Sequence, residues 1–477
     1  MATLKEKTAK GLFWGGMNNG VQQLIGLIFG IILGRLLAPA DYGMMAMIQV
    51  FSLVATALQS SGFVTAIANL KQPRDEDYNS VFWFNILMGS FLYLVLFFCA
   101  PLIASYYHTP KLISLCRYAF LSIIIASAST SQSAFLFKNL MAKQQAKAGM
   151  TAVILSSIAG SLMAFCGMAY WSLATQGLVF VLINTLLFWH YSPWRPTLHI
   201  DLHPAFHMFK FSCKILATTI CTIINNNVMN LLLGHYFTLR DTGNYNQAYQ
   251  WNFKCFSLVQ GMVNQVAQPV LVDLQDEQGR QINAFRKMVR FTAFITFPLL
   301  FGFGLVAKEF IVLAIGQKWL VSAGYIQLLC ISGAVIPLCT LLSNLIISKG
   351  RSGTYFWCTF VLGLCQIILM IVLWPLGIYA MVIAYVLLNT AWLFVWFIFA
   401  RRLSGYRLLH FLKDILPFAL AAFGVMLVTG LLTSILTNLW LLLFSRIILA
   451  AGLYFIVMKL ARVQILNECI AFLSHKL

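Results

Sequence analysis

Two matching stretches of sequence decide the architecture: IILGRLLAPADYG at residues 31–43 and LLLGHYFTLRDTG at residues 231–243. In both stretches an apolar run that ends in glycine is followed, after six residues, by Asp-x-Gly. A second match, Leu-Ile-Asn-Thr at 182–185 and Leu-Leu-Asn-Thr at 387–390, supports the same duplication. The sequence therefore predicts two copies of one structural unit.

The composition around these stretches is that of a membrane protein. Of the 477 residues, 60% are hydrophobic and only 9% are charged, and the mean hydropathy is +0.83. An ordinary soluble domain is about 25% charged, and its single core could not hide this much apolar surface. A spanning helix needs about 20 mostly apolar residues. We predict about fourteen transmembrane helices, at residues 12–36, 44–69, 80–106, 112–137, 148–169, 171–192, 210–237, 245–271, 290–316, 320–347, 354–375, 377–400, 414–436 and 438–460.

The distribution of the charges, which sum to +19, indicates membrane topology, because they lie in the short connections between apolar runs. They form no continuous basic face of the kind that binds nucleic acid. With the N-terminus inside, most of the 32 lysines and arginines fall in cytoplasmic segments, beginning with Lys5, Lys7 and Lys10. This asymmetry satisfies the positive-inside rule and predicts that both termini are cytoplasmic. The cysteines are scattered through apolar runs and show no metal-ligand spacing.

The repeat divides the chain into an N-terminal six-helix lobe at 1–200, a C-terminal six-helix lobe at 201–405, and a trailing helix pair with a cytoplasmic tail at 406–477. Because six is even, both lobes enter the membrane in the same sense, so the predicted pseudo-twofold runs along the membrane normal. Paired lobes of this kind are common in transporters that work by alternating access. The competing interpretation is a duplicated scaffold without transport.

Polar side chains concentrate on three predicted helices, where facing lipid would cost several kcal/mol each. On the eighth span, polar residues from Asn246 to Gln268 fall within roughly 120° of one another at 100° per residue. A single amide side chain in a membrane helix more often makes a hydrogen bond to a neighbouring helix. A polar stripe this long instead favours a helix that lines a water-filled cavity. The predicted substrate-cavity residues are Asn18, Gln22, Thr222, Asn225, Asn226, Asn246, Gln250, Lys254, Gln260 and Asn264.

Four further groups of residues have competing interpretations. Lys254 is either a cavity cation that attracts an anion or a side chain that reaches the outer interface. Arg35 lies either at the membrane interface or at the mouth of a cavity.

The sequence also predicts two structural turns, formed by Asp41 with Gly43 and by Asp241 with Gly243. In each turn the carboxylate caps a helix and the glycine permits a tight bend. His199, His203 and His207 favour interfacial packing over metal binding, with Pro204 in the first turn of a helix.

No carboxylate falls at the predicted midplane, and the chain has no P-loop, kinase or hydrolase motif. The sequence therefore predicts no catalytic residues, metal or cofactor, and a transporter rather than an enzyme.

Several stretches resemble one family. They are residues 33–43, Trp171-Ser172-Leu173, Trp194-Arg195-Pro196 and Gly316-Gln317-Lys318-Trp319. Together they resemble the polysaccharide transporter family, of the O-antigen and colanic-acid exporter type, within the multidrug/oligosaccharidyl-lipid/polysaccharide flippase superfamily. The resemblance covers essentially the whole chain.

The resemblance implies an all-α fold of fourteen helices in a bacterial cytoplasmic (inner) membrane. It implies a substrate, an oligosaccharide on undecaprenyl pyrophosphate, that passes from the inner to the outer leaflet, with polysaccharide polymerase machinery as a further partner. Amide-rich helices suit sugar hydroxyls and a buried cation suits pyrophosphate. The alternatives are a drug or cation antiporter of the same superfamily and a membrane-embedded glycosyltransferase or polymerase.

Overall fold

The structure is a computed structural model that describes residues 4–274 and 276–468, without the side chains of residues 4–13, 15, 210–212, 214, 215 and 278. The side chains of Lys5, Lys7 and Lys10, and the C-terminal tail from residue 469, lie outside the described residues. The helices are α1 Leu4–Leu36, α2 Pro39–Ser60, α3 Phe63–Asn69, α4 Asp75–Tyr106, α5 Leu112–Ala119, α6 Leu121–Ser127, α7 Thr130–Lys138, α8 Ala142–Phe165, α9 Tyr170–Tyr191, α10 His203–Tyr236, α11 Leu239–Asp273, α12 Gln278–Ala314, α13 Leu320–Ser348, α14 Ser352–Leu373, α15 Ile378–Ser404, α16 Leu408–Leu432 and α17 Leu439–Leu460.

Each predicted span coincides with one helix or with a broken series of helices. The second span is interrupted at Ser61 and Gly62, which both have positive φ and separate α2 from α3. The fourth span is divided into α5, α6 and α7, with a bend of 43° before α7. The sequence prediction missed these breaks because the apolar pattern continues through them.

The all-α membrane fold is confirmed. Twelve helices in the described part of the chain are long and apolar enough to cross a membrane, or thirteen when the bent pair is counted as one span. Helix α11 is not among them, although at 35 residues it is long enough, because polar side chains lower its hydropathy. The exact number of fourteen therefore stays a prediction.

The chain forms two compact units, residues 1–243 and 244–477. In the N-terminal unit α8 packs on α1 and α9, and α10 packs on α2, α3 and α4. This division lies beyond the lobe boundary predicted at residue 200, since α10 packs against helices that precede it. The predicted lobes at 1–200, 201–405 and 406–477 stay predictions.

In the C-terminal unit α12 is the central support. It packs on α13, α16 and α17. Near one of its ends Arg286 donates to both carboxylate oxygens of Asp414 on α16, at 2.8 and 3.1 Å. Further along, Glu309 of α12 accepts from Arg446 of α17 at 3.0 Å. These two pairs fasten the trailing helices α16 and α17 to α12.

Candidate functional site

The two copies of the repeated stretch meet in the N-terminal unit, at a contact that we call the repeat junction, formed by Pro39, Gly43, Leu239 and Gly243. A Cβ on Gly43 would overlap the carbonyl oxygen of Leu239, and a Cβ on Gly243 would overlap the carbonyl oxygen of Pro39. Equivalent positions of the two copies thus contact each other reciprocally, as in a contact around a local twofold.

The interpretation of Gly43 and Gly243 as turn residues was wrong. Both lie inside helices, as the fifth residue of α2 and of α11, and neither has positive φ. Their role is steric, because the absence of a side chain lets the two helix starts touch.

The carboxylates of the same motif cap helices from the first turn. Asp41 accepts the backbone N–H of Ala38 at 2.9 Å. Asp241 accepts the hydroxyl of Thr238 at 2.6 Å. Each carboxylate reaches back three residues rather than preceding the helix, and each opposes the positive end of the helix dipole.

The candidate residues of α1 pack on a neighbouring helix. Gln22 donates to Asn18 at 2.9 Å, and both amides lie against Gly149 of α8. Arg35 is exposed in the last turn of α1, where its charge complements the helix dipole.

The candidates on α10 differ in their exposure. Asn225 is buried, Thr222 is half-buried, and Asn226 is exposed. The Thr222 hydroxyl donates to the carbonyl of Thr218 within the helix.

Helix α11 uses part of its polar surface to pack on α13. The Gln260 amide donates to the Thr340 hydroxyl at 3.0 Å, and Asn264 accepts from Asn344 at 3.3 Å. Nearer the start of α11, Ser322 donates to Asn244 at 3.1 Å. Gln260 and Asn264 therefore make interhelical hydrogen bonds, the competing interpretation of a polar membrane residue.

The other members of the α11 stripe have a different environment. Asn246 is buried, and its Nδ2 has no hydrogen-bond acceptor among the described residues. Gln250 and Lys254 are half-buried, and the Lys254 Nζ lies 4.3 Å from the centroid of the Trp251 ring. A buried amide donor and a half-buried ammonium group on one face can bind a polar anionic ligand.

Sequence reasoning missed the rings beside this stripe. Tyr245, Tyr249 and Phe253 are each four residues apart on α11, with successive centroids 6.4 Å apart and planes inclined by 25° and 23°. Phe253 is 39% exposed. The signal was present, because an i, i+4 spacing places side chains on one helix face.

A cavity of about 630 Å³ lies in the N-terminal unit near the starts of α4 and α10. Its lining includes Asp75, Glu76 and Asp201, against a single arginine, Arg195. The excess of carboxylates makes this cavity unsuitable for a pyrophosphate.

Comparison with known proteins identifies the family. Residues 32–324, more than half of the chain, match the model of the polysaccharide biosynthesis protein family. The chain belongs to this family. The resemblance noted from sequence is thereby confirmed, and the chain is a multi-pass membrane protein of a transporter family.

One relative and two solved structures show how far the similarity extends. The chain is 24% identical to the lipopolysaccharide biosynthesis protein WzxC of Escherichia coli over 360 residues, which is 74% of this chain and 72% of WzxC. The fold is similar to that of the lipid II flippase MurJ, with a TM-score of 0.75 over 95% of this chain and all of MurJ at 16% identity. It is also similar to an inward-facing multidrug transporter of the MATE family, with a TM-score of 0.62 over 80% of this chain and 95% of that protein at 14% identity.

Proposed function

We propose that this protein is a flippase that moves an oligosaccharide linked to undecaprenyl pyrophosphate from the inner to the outer leaflet of a bacterial cytoplasmic membrane. The match of residues 32–324 to a polysaccharide biosynthesis family carries the proposal. The similarity to WzxC, a lipopolysaccharide biosynthesis protein, supports a substrate used for a surface polysaccharide. The similarity to MurJ, a lipid II flippase, supports a fold that can move a lipid-linked sugar from one leaflet to the other.

The chemistry of α11 fits this substrate. Asn246 and Gln250 supply amide donors and acceptors for sugar hydroxyls, and Lys254 supplies a cation for the pyrophosphate. We propose an alternating-access mechanism in which the head group binds these residues while the lipid tail stays in the bilayer, with coupling to the membrane potential or to substrate supply. The charge asymmetry of the loops supports an orientation with both termini in the cytoplasm.

The buried carboxylates count against a cation antiporter. Asp414 and Glu309 are the carboxylates that the described part of the chain buries, and both are paired with arginine. Because an arginine already occupies each carboxylate, a transported cation would have to displace the guanidinium group before it could bind there. Antiport through a cavity carboxylate would require one of these pairs to open.

Reconstitution of the full chain in liposomes tests the proposal. The probe is a fluorescent undecaprenyl pyrophosphate linked to di-N-acetylchitobiose, and the measurement is the fraction that a membrane-impermeant quencher reaches. We expect the protein to accelerate leaflet exchange over protein-free liposomes. If exchange stays at the protein-free rate while a proton gradient drives ethidium across the same membrane, the antiporter alternative is correct.

A further inference from the structure

The ring ladder on α11 lies within the polar face of the helix. At 100° per residue, Phe253 projects about 20° from Asn246 and Tyr249 about 60° from it. Gln250 projects about 40° to the other side of Asn246. The rings and the amides therefore form two adjacent tracks along one surface of the helix.

The ladder is anchored at one end and open at the other. Tyr245 is buried and its ring lies 6.4 Å from that of Tyr325 on α13. Tyr249 is half-buried, and Phe253 is 39% exposed. Successive rings of the ladder are inclined to each other by 25° and 23°.

The polar track requires a partner. The residue Asn246 is 5% exposed. Its Nδ2 donor is buried and has no hydrogen-bond acceptor among the described side chains and backbone atoms. An unsatisfied buried donor costs about 1–3 kcal/mol, and more where water is scarce. Rotation of the Asn246 side chain toward a hydroxyl-bearing ligand on this face would satisfy it.

We propose that Tyr249 and Phe253, together with Asn246 and Gln250, form a sugar-binding platform. A pyranose ring is amphipathic: its C–H groups carry partial positive charge and fit the negative face of an aromatic ring, while its hydroxyls exchange hydrogen bonds with amides. A platform of rings beside amides matches both features. It rests on the proposed function, because it assigns the saccharide part of the proposed substrate.

Lys254 lies on the amide side of the platform, one turn after Gln250 and about 40° further round the helix. A saccharide that stacks on Phe253 and hydrogen-bonds to Gln250 would therefore extend its linking pyrophosphate toward the Lys254 ammonium group. The ring residues would then recognise the sugar, and the lysine would recognise the anion. The two contributions are separable by substitution.

The experiment compares two probes on the purified full-length protein in detergent. One probe is undecaprenyl pyrophosphate linked to di-N-acetylchitobiose, and the other is undecaprenyl pyrophosphate without sugar. We expect the wild-type protein to bind the sugar-linked probe about tenfold more tightly. Phe253→Leu should remove most of this preference without changing the affinity for the bare carrier, and Phe253→Tyr should keep it.

The matched control is Phe423→Leu, which removes a 55% exposed ring from α16 in the same unit and should change neither affinity. If Phe253→Leu keeps the wild-type preference, the platform is overturned. A wild-type protein that transports the sugar-linked carrier but binds both probes equally would overturn the platform and leave the flippase proposal standing. Binding and transport of neither probe would overturn both.

Discussion

Gly43 and Leu239 lie so close that the Gly43 Cα and the Leu239 carbonyl leave no room for a methyl group between them. Gly243 and Pro39 make the same contact. In the repeat, Gly243 is the counterpart of Gly43, and Pro39 is the counterpart of Leu239. The repeat junction is therefore a reciprocal contact between the starts of α2 and α11. Its tightness depends on glycine at both positions.

Alanine at either glycine should loosen this junction. We expect Gly43→Ala and Gly243→Ala each to destabilise the protein by about 1–3 kcal/mol, because the added methyl group meets rigid backbone rather than a flexible side chain. The melting temperature of the purified protein in detergent measures the effect. We expect the rate of flipping to fall as well, since helix starts that cannot touch cannot hold this conformation.

Gly261→Ala on α11 is the matched control, since nothing lies within 4 Å of the position where its Cβ would be. There alanine should be neutral or stabilising by up to about 1 kcal/mol, because it favours the helix. Equal melting temperatures for Gly43→Ala and Gly261→Ala would contradict a steric role for the junction.

Among the described residues, the Arg286–Asp414 ion pair should contribute more to stability than the ion pairs whose side chains are exposed. Asp414 is almost fully buried and also accepts from the Tyr406 hydroxyl at 2.6 Å. Removing the arginine in Arg286→Met leaves a buried carboxylate with fewer donors. We expect a loss of about 2–3 kcal/mol, below the value for a fully buried pair because 29% of the Arg286 side chain is exposed.

The control for this pair is Glu277→Gln. Glu277 pairs with Arg280 at 2.7 Å, but the two side chains are 53% and 71% exposed. We expect no measurable change in melting temperature there, because solvent screens the interaction. A double variant, Arg286→Met with Asp414→Leu, should recover part of the lost stability. If it is additive instead, the two side chains do not act as a pair.

The spans could be predicted from sequence because hydropathy acts locally, and each predicted span became one helix or a broken series of helices. The partners of polar residues could not be predicted in the same way. Asp414 is on α16, and its partner Arg286 lies 128 positions away on α12. Glu309 is buried against Arg446 of α17, while its chain neighbour Lys308 is exposed.

The α11 stripe shows the same limit within one helix. Its angular pattern predicted a polar face, but the pattern has the same form whether a side chain meets another helix or a ligand. Gln260 meets Thr340, whereas Asn246 lacks an acceptor among the described residues. The difference depends on where α13 lies, and that is set by packing over the whole unit.

The Gln260–Thr340 hydrogen bond should matter for stability and not for sugar recognition. Gln260→Leu removes one hydrogen bond between α11 and α13, for which we expect a loss of about 1 kcal/mol. The melting temperature should fall slightly, and the preference for the sugar-linked probe should be unchanged. Gln250→Leu is the comparison, because it should weaken that preference at nearly unchanged stability. If Gln260→Leu abolishes sugar binding, then Gln260 binds the ligand and does not only join α11 to α13.

Lys254 should determine affinity for the anionic part of the substrate. A charge-assisted hydrogen bond contributes about 1.5–3 kcal/mol, so Lys254→Ala should weaken binding of bare undecaprenyl pyrophosphate by about 10- to 100-fold. Lys254→Arg keeps the charge and should retain most of the affinity. Lys308→Ala removes an exposed cation of the same unit and should have no effect. Transport should fall with binding while the amount of folded protein stays normal. Unchanged binding and transport in Lys254→Ala would show that the ammonium group, whose Nζ lies 4.3 Å from the centroid of the Trp251 ring, does not contact the pyrophosphate.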